Sequence, residues 1–156
     1  MKTFAFFLVL SAIALIAASP AYAEGLTPQD YMEIEQLYAQ YNWAIDTGDA
    51  GAYANTFIAD GVFNSMTGHE QLAGFIKRWV ETMNGATRKH WNTNLKISGD
   101  GDTASGQVYL MLLDTSTQPP AIVATATYTD SLVKTQDGWR FSKRSTQSDR
   151  APRAAN

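Results

Sequence analysis

Apolar residues recur at helical spacing in the first half of the chain and at strand spacing in the second. Ile34, Leu37, Tyr38, Tyr41, Ala44 and Ile45 are separated by steps that place them on one helix face. Thr27, Pro28 and Asp30 supply a capping box and a first-turn proline, so a helix is expected from there to about Thr47. Gly48 ends it. Asp49 then caps a short second helix through Tyr53 to Phe57, and Asp60-Gly61 is expected to turn into a short strand at Val62 to Met66. From His69 to Met83 the positions Leu72, Phe75, Ile76, Trp79, Val80 and Met83 follow one helical stripe, the mark of a single buried face.

After Gly85 the period shortens to that of strands, over Arg88 to Ser98, Thr103 to Asp114, Ala121 to Lys134 and Trp139 to Ser148. Asp100-Gly101 and Asp137-Gly138 are hairpin turns. Helices followed by strands give the α+β class. The long strand after Pro120, rich in Val, Thr, Ile and Tyr, requires a strongly twisted sheet, and three helices against it would form a cone.

The strand opened by His90 alternates sharply. Arg88, His90, Asn92, Asn94 and Lys96 form one polar face, while Trp91, Leu95 and Ile97 lie on the other. The polar face either meets water or, with His90 and Asn94, lines a cavity inside the cone while the apolar face meets a second subunit. Alternation leaves both open. A helix wheel puts Asp46 roughly 135° from the centre of the first helix's apolar stripe, on the solvated side.

The chain has 156 residues, 12 Lys and Arg against 15 Asp and Glu, a formal charge of −3 and no cysteine. With no basic stripe to follow a phosphate backbone, nucleic-acid binding is not expected. The absence of cysteine rules out a disulfide framework, a cysteine zinc site and a thiol nucleophile. His69 and His90 lack partners at metal-ligand spacing, so no metal is expected. His69, beside Glu70, reads as a solvated helix-end residue. Gly99-Asp100-Gly101-Asp102 reads as a turn, since it has neither a calcium loop's further ligands nor a phosphate loop's Gly-Lys-Ser/Thr ending. No serine lies in a G-x-S-x-G elbow.

At the N-terminus, Lys2 precedes an uncharged apolar run from Phe4 to Ala18, with Pro20 and the small-residue site Ala21-Tyr22-Ala23 after it. Residues 1–23 read as a secretory signal peptide cut after Ala23, since the run is shorter than the about 20 residues of a membrane span. The expected product is a secreted or periplasmic domain over residues 24–148, with a flexible tail over 149–156 and no stable membrane insertion after cleavage.

Five segments in register carry a family resemblance across nearly the whole mature chain. They are Tyr41-Asn42-Trp43-Ala44-Ile45-Asp46-Thr47-Gly48-Asp49, Phe57-Ile58-Ala59-Asp60-Gly61-Val62-Phe63, Gly68-His69-Glu70, His90-Trp91-Asn92-Thr93-Asn94 and Asp137-Gly138-Trp139-Arg140-Phe141. Together they resemble the SnoaL-like branch of the nuclear-transport-factor-2-like superfamily, most closely the group containing scytalone dehydratase and lindane dehydrochlorinase. The resemblance implies three helices in a strongly curved, mixed and mostly antiparallel sheet, a deep apolar pocket and a homodimer through the sheet's outer face.

It further implies an aspartate at the end of the first helix and a histidine on the strand after the third, positions held by Asp46 and His90. Neutral imidazole can take a proton from carbon or hydroxyl, and the carboxylate behind it orients the ring and stabilises the imidazolium. Tyr41, Phe63, Asn94 and Arg144 fall near pocket positions and are the expected substrate contacts. Asp114 and Asp130 stand as candidates for the later-strand acid of the family's polyketide cyclases. The implied protein is a cofactor-independent lyase or isomerase, of dehydratase or elimination type, acting on a small, largely apolar molecule. The alternative is a periplasmic binding or accessory protein that uses the same cavity without turnover.

Overall fold

A computed structural model describes residues 25–83 and 87–150. The segment read as a signal peptide lies outside these residues, as does the tail beyond Arg150. Three helices, α1 (Pro28–Thr47), α2 (Ala50–Ala54) and α3 (Gly68–Met83), precede or interrupt the strands β1 (Phe57–Phe63), β2 (Met66–Thr67), β3 (Arg88–Asp100), β4 (Thr103–Asp114), β5 (Ala121–Thr135) and β6 (Gly138–Ser148). The strands form one sheet in the order β2-β1-β6-β5-β4-β3. Only β1 and β6 run parallel; the other neighbours are antiparallel. This is the expected α+β class with a mixed, mostly antiparallel sheet.

The start of α1 is fixed twice over. The Thr27 backbone N–H donates to Asp30 Oδ2 at 2.9 Å, and the Asp30 N–H donates to Thr27 Oγ1 at 3.2 Å, closing the capping box. The same buried carboxylate accepts from Lys134 Nζ at 2.7 Å and Trp139 Nε1 at 3.0 Å, tying the helix start to the β5–β6 hairpin. At the other end Gly48, at φ 73°, turns its N–H back to the carbonyls of Ala44 and Ile45. Every residue of the expected α1 stripe is buried.

Two expectations for the connecting elements are corrected. Phe57 opens β1 instead of closing α2, which ends at Ala54. Asp60-Gly61 is no turn but lies inside β1, where the pairing with β6 changes register between Phe57 and Val62. A side chain at Gly61 would sit 2.8 Å from Phe57 Cβ and 3.2 Å from the Phe141 carbonyl, so glycine here permits close strand packing. The reversal comes afterwards at Asn64-Ser65, where Asn64 adopts φ 53°. His69 is also more than a solvated helix end, because its Nε2 lies 3.0 Å from the Phe57 carbonyl oxygen.

The stripe on α3 is only partly used. Leu72 and Ile76 are fully buried, Phe75 and Trp79 are half-buried against the core, and Val80 is exposed. The reason is its position: α3 packs chiefly on α2, β1 and β2 at one side of the sheet. The concave face carries Val108 and Leu110 of β4, Ala126, Tyr128 and Leu132 of β5, and Phe141 of β6 into the core. On the convex face Trp91, Tyr109 and Ile122 are 60%, 55% and 60% exposed.

Strand β3 changes face partway along. Its pairing with β4 shifts between Thr93 and Lys96, with Asn94 at φ 57°. Before the bulge His90 is buried and Trp91 exposed; after it Leu95 and Ile97 pack on the core. An inserted residue inverts a period of two, so the polar face of the sequence pattern is not one face in the fold.

Candidate functional site

The end of α1 lies along the free edge of β3, the last strand of the sheet. Asp46 is brought there from the last turn of α1, and His90 from the third residue of β3. His90 Nδ1 is 2.6 Å from Asp46 Oδ1, and the His90 backbone N–H donates to both carboxylate oxygens, at 3.1 and 3.2 Å. The two side chains are 4% and 9% exposed, so the strand edge covers the flank of α1 that a helix wheel leaves in water. One carboxylate therefore satisfies an edge-strand donor and orients an imidazole. Since a carboxylate can only accept, the proton of a neutral His90 belongs on Nδ1, which leaves Nε2 as the basic nitrogen.

A row of aromatic side chains leads inward from the dyad. The Trp79 ring lies 5.9 Å from that of His90, Phe75 is 6.5 Å from Trp79, and Phe63 is 5.5 Å from Phe75. Tyr41 follows at 6.5 Å from Phe63, its hydroxyl 3.0 Å from that of Tyr53. Burial, and then the neighbouring Tyr53, push the Tyr41 hydroxyl well above the ordinary tyrosine range, so it is neutral and can donate.

The row ends at a fully buried ion pair. Arg144 Nε and Nη2 donate to the two oxygens of Asp130 at 2.7 and 2.8 Å, and the Tyr38 hydroxyl donates to the same carboxylate. The rings of Tyr38, Tyr41, Tyr128 and Phe141 surround the guanidinium with centroids 4.0 to 4.8 Å from Cζ. Burial opposes the charge on Arg144, but Asp130 more than compensates and raises its pKa, so it stays protonated. Burial pushes the Tyr38 hydroxyl up, with the Asp130 charge acting the same way.

Of the expected site residues, Asp46 and His90 meet, while Tyr41, Phe63 and Arg144 pack against one another as buried residues of the core on the concave side. Asn94 does not join them. It is exposed at the β3 bulge, because the inserted residue turns its side chain away. Asp130, one of the two later-strand acids, faces the concave side but is committed to Arg144. Asp114 is held at the end of β4 by Arg88, 2.5 Å away, and by Ser116. Trp79 and Asn92 were legible as stripe and face positions, yet neither carried a chemical signal until the fold placed them beside His90. No three His, Asp or Glu residues converge as a metal site among the described residues.

The dyad also borders a surface cleft of about 300 Å³ between α1 and β3, lined by Ala39, Asn42, Trp43, Lys89 and Trp91 with Asp46 and His90. This opening is on the flank of the molecule, not at the floor of the deep pocket that the resemblance implies. Lys89 Nζ lies 5.9 Å above the Trp43 ring at its rim.

A family model described as a SnoaL-like domain matches residues 27–145. An uncharacterised protein of Mycobacterium tuberculosis is 28% identical over 121 residues, covering 74% of this chain and 82% of that one. Among solved structures, Aln2 from a Streptomyces species superposes with a TM-score of 0.73 at 27% identity, over 81% of this chain and 95% of that chain. A structure from Catenulispora acidiphila in complex with S-DNPA gives 0.68 at 26% identity, over 76% and 92%. At 22% identity, a nuclear-transport-factor-2-like protein with a cystatin-like fold from Novosphingobium aromaticivorans gives 0.71 over 81% and 86%, a likeness of fold.

Proposed function

The chain belongs to the family of SnoaL-like domains, and on that premise we propose that it is a cofactor-independent enzyme of the lyase or isomerase type. His90 is the general base and Asp46 its orienting partner. The observation that carries this reading is the 2.6 Å contact between His90 Nδ1 and Asp46 Oδ1, which leaves Nε2 to take a proton. The electron pair left on substrate then expels a leaving group or shifts a double bond, and the Asp46 charge stabilises the imidazolium. The aromatic wall of Trp79, Phe75, Phe63 and Tyr41 suits a small ring, and Arg144 and the Tyr41 hydroxyl are the donors for a developing negative charge at its far end.

The protein is exported and cut after Ala23, and it dimerises through the convex sheet face where Trp91, Tyr109 and Ile122 are exposed. N-terminal sequencing of exported protein should begin at Glu24; intact Met1 in membrane-bound material removes the export reading.

The catalytic reading is tested by incubating the exported protein in deuterium oxide with a panel of cyclic compounds carrying acidic C–H bonds, and following the loss of their proton resonances. Exchange or elimination abolished by His90→Gln supports it. If nothing in the panel turns over, while ligands bind the parent and the variant equally, a non-catalytic binding protein that uses the same wall replaces it.

A further inference from the structure

Among the described residues five buried side-chain polar atoms have no hydrogen-bond partner: Trp79 Nε1, Arg88 Nη1, Asn92 Oδ1, Arg144 Nη1 and Thr146 Oγ1. Arg88 Nη1 is the easiest to explain, since it lies 2.5 Å from the Asp114 carboxylate. The other four lie on the concave face of the sheet or, for Trp79, on the helix beside it. Asn92 follows His90 by two residues on the same face of β3, before the bulge that would invert it. Thr146 follows the buried Arg144 by two on β6 and pairs in register with the buried Tyr128. Trp79 projects from α3 toward His90.

Buried polar atoms without partners are rare because each forfeits its hydration, so four at one concave face need a common cause. The architecture offers one. Helix α1 crosses the concave side at β3 and β6, while α3 packs chiefly on α2, β1 and β2 and brings the Trp79 ring to His90, so the polar atoms of β3 near the dyad face side chains from two helices. We infer that Trp79 and Asn92 are specificity-determining substrate contacts: the Trp79 indole N–H donates to a carbonyl-type oxygen, and the Asn92 side-chain carbonyl accepts from a hydroxyl on the same ring.

The two atoms flank the base from different directions. The Trp79 ring stands 5.9 Å from that of His90, and Asn92 lies two residues, about 7 Å, further along β3. The Asn92 amide nitrogen is turned toward Asn42 Oδ1 at 3.4 Å, which directs the carbonyl oxygen elsewhere and makes it the acceptor. A ligand matching both atoms is therefore an oxygenated ring with one acceptor and one donor. A hydrocarbon or haloalkane of the same size leaves both atoms bare. The assignment rests on His90 as the base only in placing the ring beside it; the contacts themselves concern binding.

Three probes separate the contacts: β-tetralone, its ring-hydroxylated derivative and the hydrocarbon tetralin, titrated calorimetrically into the exported protein. The parent should bind the ketone about tenfold more tightly than the hydrocarbon, and the hydroxyketone more tightly again, as expected when a buried polar atom gains its partner. Trp79→Phe should lose the preference for ketone over hydrocarbon and keep the response to the hydroxyl; Asn92→Leu should do the reverse. His90→Gln should keep both preferences while losing deuterium exchange at the ketone's α-carbon, so a failure of the catalytic reading shows in exchange alone. Equal affinity for all three probes, no binding of any, or an unchanged ranking in either folded contact variant overturns the inference. Should Trp79→Phe not fold, the Asn92→Leu ranking decides.

Discussion

Asp46 Oδ1 and His90 Nδ1 lie 2.6 Å apart at the free edge of the sheet, and the same carboxylate takes the His90 backbone N–H. Side chain and main chain of one residue are thus held by one acid, so the ring's orientation is coupled to the position of its strand. His90→Gln should lower turnover by roughly 10² to 10⁴-fold, with ligand affinity little changed. Asp46→Asn should also impair turnover, by removing the charge that stabilises imidazolium, and should raise amide exchange at His90 in hydrogen-exchange measurements. Activity of the parent should fall on acidification, because imidazolium cannot accept a proton. Parent-like rates in both variants would exclude the dyad from the chemistry.

Asp30 makes stability depend on pH. Its hydrogen bonds from Lys134, Thr27 and Trp139 hold its carboxyl well below the ordinary 3.8. A carboxylate depressed in the folded state contributes its full stabilisation above the unfolded value and loses it progressively as pH falls beneath that value. Urea unfolding of the parent should therefore show a loss of stability below about pH 4. Asp30→Asn should be less stable at pH 7 and should lack this portion of the acid loss; parallel profiles would show that the depression is not real.

The Arg144 to Asp130 pair is buried among aromatic rings with both side chains fully covered. Removing one partner strands the other charge, so Asp130→Leu should destabilise the fold by roughly 3–5 kcal/mol. Combining it with Arg144→Met removes the stranded charge, and the double variant should be more stable than Asp130→Leu alone. A double variant that is less stable than Asp130→Leu would mean that the unpaired Arg144 is not the source of the destabilisation.

Gly106 lies opposite Asp130 on β4, and a Cβ there would overlap the Tyr38 hydroxyl that donates to Asp130. Gly106→Ala should cost about 1–3 kcal/mol, as other overpacked core sites do. Adding Tyr38→Phe removes the clashing oxygen and should recover part of that loss; independent, additive effects would place the strain elsewhere.

Trp91, Tyr109 and Ile122 expose large apolar side chains on the convex face. The protein over residues 24–156 should scatter light as a dimer, and Tyr109→Glu should shift it toward monomer while leaving the concave side intact. A parent that stays monomeric across micromolar concentrations would remove the interface.

Much of this protein was local enough to be legible in its sequence. The capping box at Thr27, the Gly48 stop, the α1 stripe and both hairpin turns depend on neighbours a few residues apart, and they appear in the structure as expected. The pairing of Asp46 with His90 came from family spacing, against the helix wheel, which sees only the helix and not the strand edge that covers its flank. Other features could not be read locally at all. Asp60-Gly61 has the composition of a turn, but β1 passes through it because β6 supplies a parallel partner and a close backbone contact. Asn94 kept its alternation on paper, yet a one-residue bulge turned it outward while Asn92 stayed inside. Trp79 was one more apolar residue in a stripe until the placement of α3 set its indole beside His90. Periodicity and caps are set by short-range sterics and hydrogen bonds; burial, strand register and the partners of polar atoms are set by elements distant in sequence, and these decided the site.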